Sequence, residues 1–479
     1  MPAVSRGEGA PTRADTKTMS GLVSQLGSRL FKEREDAAQQ LRGLGVGALD
    51  ALRSAARSTD PEIRRRAETL SSAIQHQLET ERILQPKLVR LRWDKIPVSE
   101  AIADFSKKTG LVIECQPSAP EKRISLDTGE VTVWQALEKF CDQAGLVERA
   151  APAQDVSSVQ VINRPNGQIR IVSTGTIGFG QTDIVRLEAG SGSLPTCHAG
   201  SVRIRSLPID DNGPWLQQRR PGERLALLEV SPQPKMGWQT VLDVQVERAI
   251  DENDQSLALA FDVEAAKAAV LGRFPRQRIA VMQNGTQWTV DPRLMPVHFT
   301  HAERPSHVLK ELSGKVSALV LSPLQSIFTV ANVLQAQGRS FTGNHGEVLK
   351  IATAAKSDDA SFRLGLEVTD AALTLNPPMR VPRRFVQANG MVMNRGGFQR
   401  WGQGEEQQVL KLFDNQGRTL DMTGSQTSMS VNANGVVTLL FDLHYQAGDD
   451  VGEPTKFLFS ARRYLTIEIP FKLKDVPIR

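Results

Sequence analysis

Three histidines fall within one short phrase, His298, His301 and His307 in HFTHAERPSH, and imidazole is the commonest side-chain metal ligand. Two imidazoles three residues apart share one face of a helical turn; on a strand the same odd spacing sends them to opposite faces. Pro305 argues against a continuous helix, and the His-Glu-x-x-His spacing of helical zinc proteases is absent. Glu303 is a nearby carboxylate that no pattern places. A polar linker between folded units is the expectation here, and a metal site is the alternative. The run Asp251, Glu252, Asn253, Asp254 offers oxygens to calcium, but a calcium loop spaces its ligands and adds a distal carboxylate, so a hairpin turn is expected. The chain has no Gly-x-x-x-x-Gly-Lys-Ser/Thr loop and no Gly-x-Ser-x-Gly elbow. A glycosidase needs only two carboxylates across a cleft, and nothing in the context marks such a pair. Six tryptophans, Trp93, Trp134, Trp215, Trp238, Trp288 and Trp401, are scattered, whereas a stacking platform needs several on one face; Trp93 and Trp134 are expected in a core or at its rim. No catalytic, cofactor-binding or metal residue is therefore assigned, no cofactor is expected, and the chain is expected not to be an enzyme.

The elements that would position any chemistry are many. At 479 residues the chain exceeds one core, and about 150 residues per domain suggests roughly three. The composition, 40% hydrophobic and 23% charged, is that of a globular protein, and a net charge of +5 is too small at this length to point to nucleic acid. The densest basic run, Arg64-Arg65-Arg66, stands beside Glu62 and Glu68 and reads as a solvated helix face. Three cysteines, Cys115, Cys141 and Cys197, are no disulfide framework; Cys141 reads as a buried thiol, with a Cys115–Cys141 bridge the alternative. No apolar run approaches the ~20 residues of a membrane span. The first 18 residues are polar, rich in Ala, Gly and Pro, and lack a signal peptide's apolar stretch. Two expectations follow: a cytoplasmic protein, or a true start upstream of the written one.

Residues 1–18 read as a disordered tail and 19–84 as helices. Leu22, Val23 and Leu26 make a first turn or two; Ala37, Ala38, Leu41 and Leu44 have helical spacing in a helix over 32–44. Gly43, Gly45 and Gly47 read as a helix–helix turn, because no strand precedes them as a dinucleotide loop requires. A third helix covers 48–57, and Asp60-Pro61 supplies an N-cap and a first-turn proline for a fourth that runs to Leu84. Short paired helices with an Asp-Pro start resemble HEAT-type repeats, although two pairs fall short of the usual three.

Residues 86–150 read as a small strand–helix–strand–strand–helix–strand (βαββαβ) module. An alternating strand, Leu88 to Trp93, precedes a helix opened by Pro97, with Val98, Ala101, Ile102 and Phe105 on its buried stripe and Gly110 at its end. Strands follow at Leu111–Cys115 and around Ile124 and Leu126; a second helix carries Val133, Leu137, Phe140, Cys141 and Ala144 and stops at Gly145. Both helices on one face of a small sheet would bury both stripes. The phrases Ile-Pro-Val-Ser-Glu-Ala-Ile, Thr-Gly-Leu-Val-Ile, Val-Thr-Val-Trp-Gln-Ala-Leu and Ala-Gly-Leu resemble the short N-terminal domain of secretins and TonB-dependent receptors. The resemblance covers about 60 residues, and no secretin or receptor barrel follows it. Together with the upstream helices, a β-rich remainder and the ending Ile467-Glu468-Ile469-Pro470-Phe471-Lys472-Leu473-Lys474-Asp475-Val476-Pro477, the chain resembles envelope proteins of planctomycete-type bacteria. That resemblance implies a periplasmic or cell-envelope location and brings no catalytic residues.

From 151 onward alternating strands recur at 168–172, 203–207, 225–230, 241–246, 257–263, 309–321, 409–413, 436–443 and 464–471, with turn clusters at 210–213, 251–254, 344–346 and 415–417 and a few helical turns at 264–271. Two sandwich-like domains are expected, 151–305 and 306–479. The fold class expected is multidomain α+β: HEAT-like helical hairpins, the βαββαβ module, then mostly-β sandwich-like domains. The function expected is non-catalytic protein binding or scaffolding, with protein partners and not nucleic acid. The alternatives are a cytoplasmic assembly factor that grips a partner with its helical repeats, and a carbohydrate-directed hydrolase.

Overall fold

The chain divides after Gln85 into two compact units, in a computed structural model that describes residues 13–115, 122–149, 159–163, 169–173, 184–209, 222–260, 278–281, 287–290, 293–300, 304–343, 346–357, 360–369, 391–392, 408–431, 437–448 and 450–479. Helices dominate the first unit, and a strand-rich remainder forms several sheets, nearly all antiparallel. No described helix is long and apolar enough to cross a membrane.

The first unit holds α1 (Arg13–Gln25), α2 (Phe31–Leu44), α3 (Leu49–Ala55) and α4 (Pro61–Leu84). Helix α1 starts at Arg13, inside the stretch expected to be a tail, and α3 is shorter than the expected 48–57: Ala48 belongs to a 3₁₀ turn, Gly45–Ala48, and the helix stops at Ala55. That turn joins α2 to α3, with Gly45 at φ +54°. Leu26, Leu41, Leu52, Leu70 and Ile74 form the common core. Asp60 caps α4 as its position predicts: its Oδ1 accepts from the Glu62 and Ile63 backbone N–H groups at 2.8 and 3.2 Å. Asp60→Ala should cost about 1 kcal/mol of this unit's stability; urea unfolding followed by helical circular dichroism checks it, and an unmoved transition refutes it. The basic run is only partly a solvated face. Arg65 pairs with Glu62 at 3.1 Å, but Arg66 bridges Glu62 (2.6 Å) and Glu35 of α2 (2.9 Å).

The second unit begins with β1 (Leu88–Val89), β2 (Arg92–Pro97), α5 (Val98–Thr109), β3 (Val112–Cys115), β4 (Arg123–Asp127), β5 (Val131–Thr132), α6 (Val133–Ala144) and β6 (Leu146–Glu148). Helix α6 opens on a reciprocal capping box between Thr132 and Gln135. Both helices end on left-handed glycines, Gly110 and Gly145, where a side chain would be strained. Their stripes meet over Phe105, Leu137 and Phe140, with Trp93 edge-on to Phe140 at 5.6 Å. The expected single small sheet is not what forms. β1 pairs with β5 and β2 with β4, while β9 (Ile184–Ala189) enters between β3 and β6, parallel to the first and antiparallel to the second. The reason is apolar: Val185 and Leu187 of β9 are buried in the same core. All three cysteines are free thiols, so the alternative Cys115–Cys141 bridge is absent.

Between these elements lies a hairpin, β7 (Val159–Asn163) with β8 (Ile169–Ser173). The first β unit then comprises β10 (Thr196–Ala199), β11 (Val202–Leu207), β12 (Arg224–Pro232), β13 (Trp238–Asp251), the hairpin β14 (Arg278–Val281) and β15 (Gln287–Val290), β16 (Leu294–Phe299) and β17 (Val308–Leu321). The second comprises β18 (Gln325–Ala331), β19 (Ser340–Thr342), β20 (Val348–Lys356), β21 (Ser361–Thr369), β22 (Met391–Val392), β23 (Gln408–Asp414), β24 (Asp421–Val431), β25 (Val437–Gln446) and β26 (Pro454–Ala461); β27 (Tyr464–Pro477) returns to the first. One sheet runs β10-β11-β12-β16 and a second β13-β17-β27; in the other unit β19-β20-β21-β25-β24-β22 faces β18-β26-β23. Phe328, Ile351, Leu366, Phe441, Phe457 and Phe459 fill the space between the latter pair.

The division expected at 305 runs between β13 and β17, which pair along most of their length. The chain therefore does not separate there. Alternation marks where strands lie, not which strands pair. The helical turns expected at 264–271, the turn at 210–213 and positions 344–345 lie outside the described residues.

Candidate functional site at the helix–sheet junction

Strand β11 reads Val-Arg-Ile-Arg-Ser-Leu, and every one of its residues is buried. Period 2 puts Val202 and Ile204 on one face and Arg203 and Arg205 on the other. The second face should meet water; instead α6 and β6 cover it. Arg203 is 1% exposed. Its two terminal nitrogens donate to the two Glu148 oxygens at 2.8 and 2.9 Å, and its guanidinium lies 4.2 Å from the centre of the Trp134 ring. Arg205 donates to the same carboxylate at 2.9 and 3.0 Å and, through Nε at 3.0 Å and Nη2, to Glu229 of β12. The Ser231 hydroxyl donates to the other Glu229 oxygen at 3.2 Å. At the margin, His198 of β10 meets Glu138 of α6 at 3.0 Å.

Planar guanidinium forks match carboxylates in this bidentate way, and stacking on an indole suits the same group. Burial alone would push the Glu229 carboxyl up, but Arg205, Arg203 and Arg293 outweigh it and hold the carboxyl well below its ordinary value of 4.5. Burial first, with the Glu148 charge adding to it, drives the Cys141 thiol up to about 12. Glu229 thus stays ionised and Cys141 protonated through the neutral range, so neither is poised to exchange a proton there. The Trp134 Nε1, Arg203 Nε, His198 Nδ1 and Ser206 Oγ atoms are buried without a hydrogen-bond partner. What this arrangement does is clamp one layer to another.

A depressed carboxyl contributes stability that is complete above its unfolded value and is lost as pH falls through the folded one. The junction should therefore loosen in acid, beginning below about pH 4.5. In Glu229→Gln that part of the acid dependence should vanish, leaving a flatter stability curve between about pH 4.5 and 2. Parallel curves for both proteins would refute this assignment.

Among the described residues, those singled out from the sequence are not brought together. His298 sits on β16 with its Nδ1 3.2 Å from Glu223, His307 precedes β17, and His301 and Glu303 lie outside the described residues. Among the described residues no three His, Cys, Asp or Glu side chains are grouped to hold a metal ion. The Asp251 carboxylate is spent on its own turn: it accepts from the Asn253 and Gln255 N–H groups at 2.9 and 2.8 Å and from the Gln255 amide at 2.8 Å. Trp93 and Trp134 are buried, Trp93 donating to Asp104 at 2.8 Å. Trp215 and Trp401 lie outside the described residues. Arg203, Arg205, Glu148 and Glu229 carried no signal beyond alternation. No protein-family model matches the chain, and no curated protein is significantly similar to it.

Proposed function

We propose that the protein is a non-catalytic binding or scaffold protein of the bacterial cell envelope, whose helical segment is HEAT-like and whose α5–α6 region acts as a docking module akin to the short N-terminal domain of secretins. The observation that carries the reading is the junction itself. Its buried charges, Glu148, Arg203, Arg205 and Glu229, are consumed by one another, so this polar constellation fixes layers in place. Such a chain presents rigid surfaces, and its partner is a protein. The envelope location rests on the resemblance of the module and of the closing phrase. The test is cell fractionation with cross-linking in place and intact-mass analysis of the recovered chain. An envelope-located, cross-linked chain is expected. A freely cytosolic one overturns the location, and saccharide turnover by the pure protein overturns the non-catalytic role.

A further inference from the structure

The two β units share a wiring diagram. In the first, β10, β11, β12 and β16 are consecutive neighbours, and residues 258–260 add to β16 through Ala260 N–H to His298 O (2.9 Å) and Thr300 N–H to Ala258 O (2.8 Å). In the second, β19, β20, β21, β25 and β24 are neighbours in that order. The facing sheets are β13-β17-β27 and β23-β26-β18. Matching β10 with β19, β11 with β20, β12 with β21, β13 with β23, residues 258–260 with β24, β16 with β25 and β17 with β26 preserves every pairing, all antiparallel.

Local chemistry repeats with it. Asp251 ends β13 and Asp414 ends β23; each carboxylate accepts from the backbone N–H groups two and four residues on, at 2.9 and 2.8 Å in both copies. The residue three on is left-handed in both, Asp254 at φ +62° and Gly417 at φ +80°. Three residues later comes buried Leu257 or Leu420, its N–H donating to the Ala249 or Leu412 carbonyl at 3.0 and 2.9 Å. Strand β12 contains Leu-Glu-Val-Ser and β21 Leu-Glu-Val-Thr. Glu229 stands opposite Arg205 in one, and Glu367 opposite Lys350, 3.1 Å apart, in the other.

One strand breaks the order. In the second unit β18, next to β26, comes directly before β19 in the chain. The strand before β10 is β9, which belongs to the β3-β9-β6 sheet instead. The vacant place beside β17 is filled by β27, from the far end of the chain. It fits closely: Ile467, Ile469, Phe471 and Leu473 are buried in alternation, Asp475 at φ +54° shifts the phase, and Val476 and Ile478 are buried in turn. Lys472 pairs with Glu311 at 2.9 Å, and Glu468 with Lys315 at 3.2 Å.

We infer that the two β units are tandem copies of one fold, and that the edge of β17 is an acceptor site for an apolar-alternating strand, occupied by the chain's own residues 464–479 in the place that β18 takes in the second copy. The decisive variant keeps every residue but moves 464–479, with flexible Gly-Ser linkers, into the connection between Gly190 and Pro195, so that the chain ends at Arg463. Hydrogen exchange at β13 and β17 should stay within about threefold of the native chain. Loss of that protection, or of a folded chain altogether, overturns the inference. In the intact chain Phe471→Ser should speed exchange across β13 and β17 about tenfold or more while β20, β21 and β25 change by less than about twofold. Equal acceleration in both units overturns it as well.

Discussion

Glu148→Ala should lower stability by about 3–5 kcal/mol, the usual cost of removing one partner from a buried ion pair. The cause is what remains. Arg203 and Arg205 are 1% and 5% exposed, and both lean on this carboxylate. Arg205 keeps Glu229; Arg203 keeps only the face of Trp134, which does not replace an ionic partner in a desolvated place. Guanidinium cannot escape by losing its proton, so the layers must open to let water in. The readouts are urea unfolding and Trp134 fluorescence, which should shift as the ring loses its cation. The double variant Glu148→Leu/Arg203→Met should recover part of the loss, because it leaves no charge stranded at position 203. An unmoved unfolding midpoint for Glu148→Ala would mean that the junction is not the clamp described.

Phe140→Ala should cost a similar amount, about 3–5 kcal/mol, by a different route. Phe140 is fully buried on α6, edge-on to Trp93 at 5.6 Å and tilted against Phe105 at 6.0 Å. Truncation removes the ring's transfer energy and leaves a cavity whose walls, two other aromatic rings, cannot collapse far. Hydrogen exchange should quicken throughout α5 and α6 and leave β20 to β26 unaffected. A variant that melts like the parent would show that these helices do not share one core.

How much of this was legible depended on how local each signal is. Asp60-Pro61, Gly110 and Gly145 announce helix ends because capping is settled within one turn. The alternation of residues 309–321 announces β17 for the same reason. Arg203 and Arg205 show the limit. In Val-Arg-Ile-Arg they occupy the phase of a solvent face, and only the arrival of α6, some 60 residues earlier in the chain, makes that face an interior. Strand β9 reads as an ordinary strand, yet its partners are β3 and β6. His298, His301 and His307 drew attention by composition alone; His301 lies outside the described residues, and His298 is engaged with Glu223. The repeated turn at Asp251 and Asp414 was visible as two acidic or amide-rich clusters; their equivalence emerges only once the pairings are known.

The pairing of β17 with β27 also sets a clock. The ladder from Val308–Pro477 to Leu321–Tyr464 joins segments separated by about 140 residues or more, and closing so long a loop is entropically costly and slow. At roughly 5–20 residues per second, synthesis leaves β17 without this neighbour for roughly 7–30 s. Throughout that interval its open edge is a template for misplaced strands, its own sister chains included. Until β27 arrives, the yield of native protein depends on how well such strands are kept from that edge.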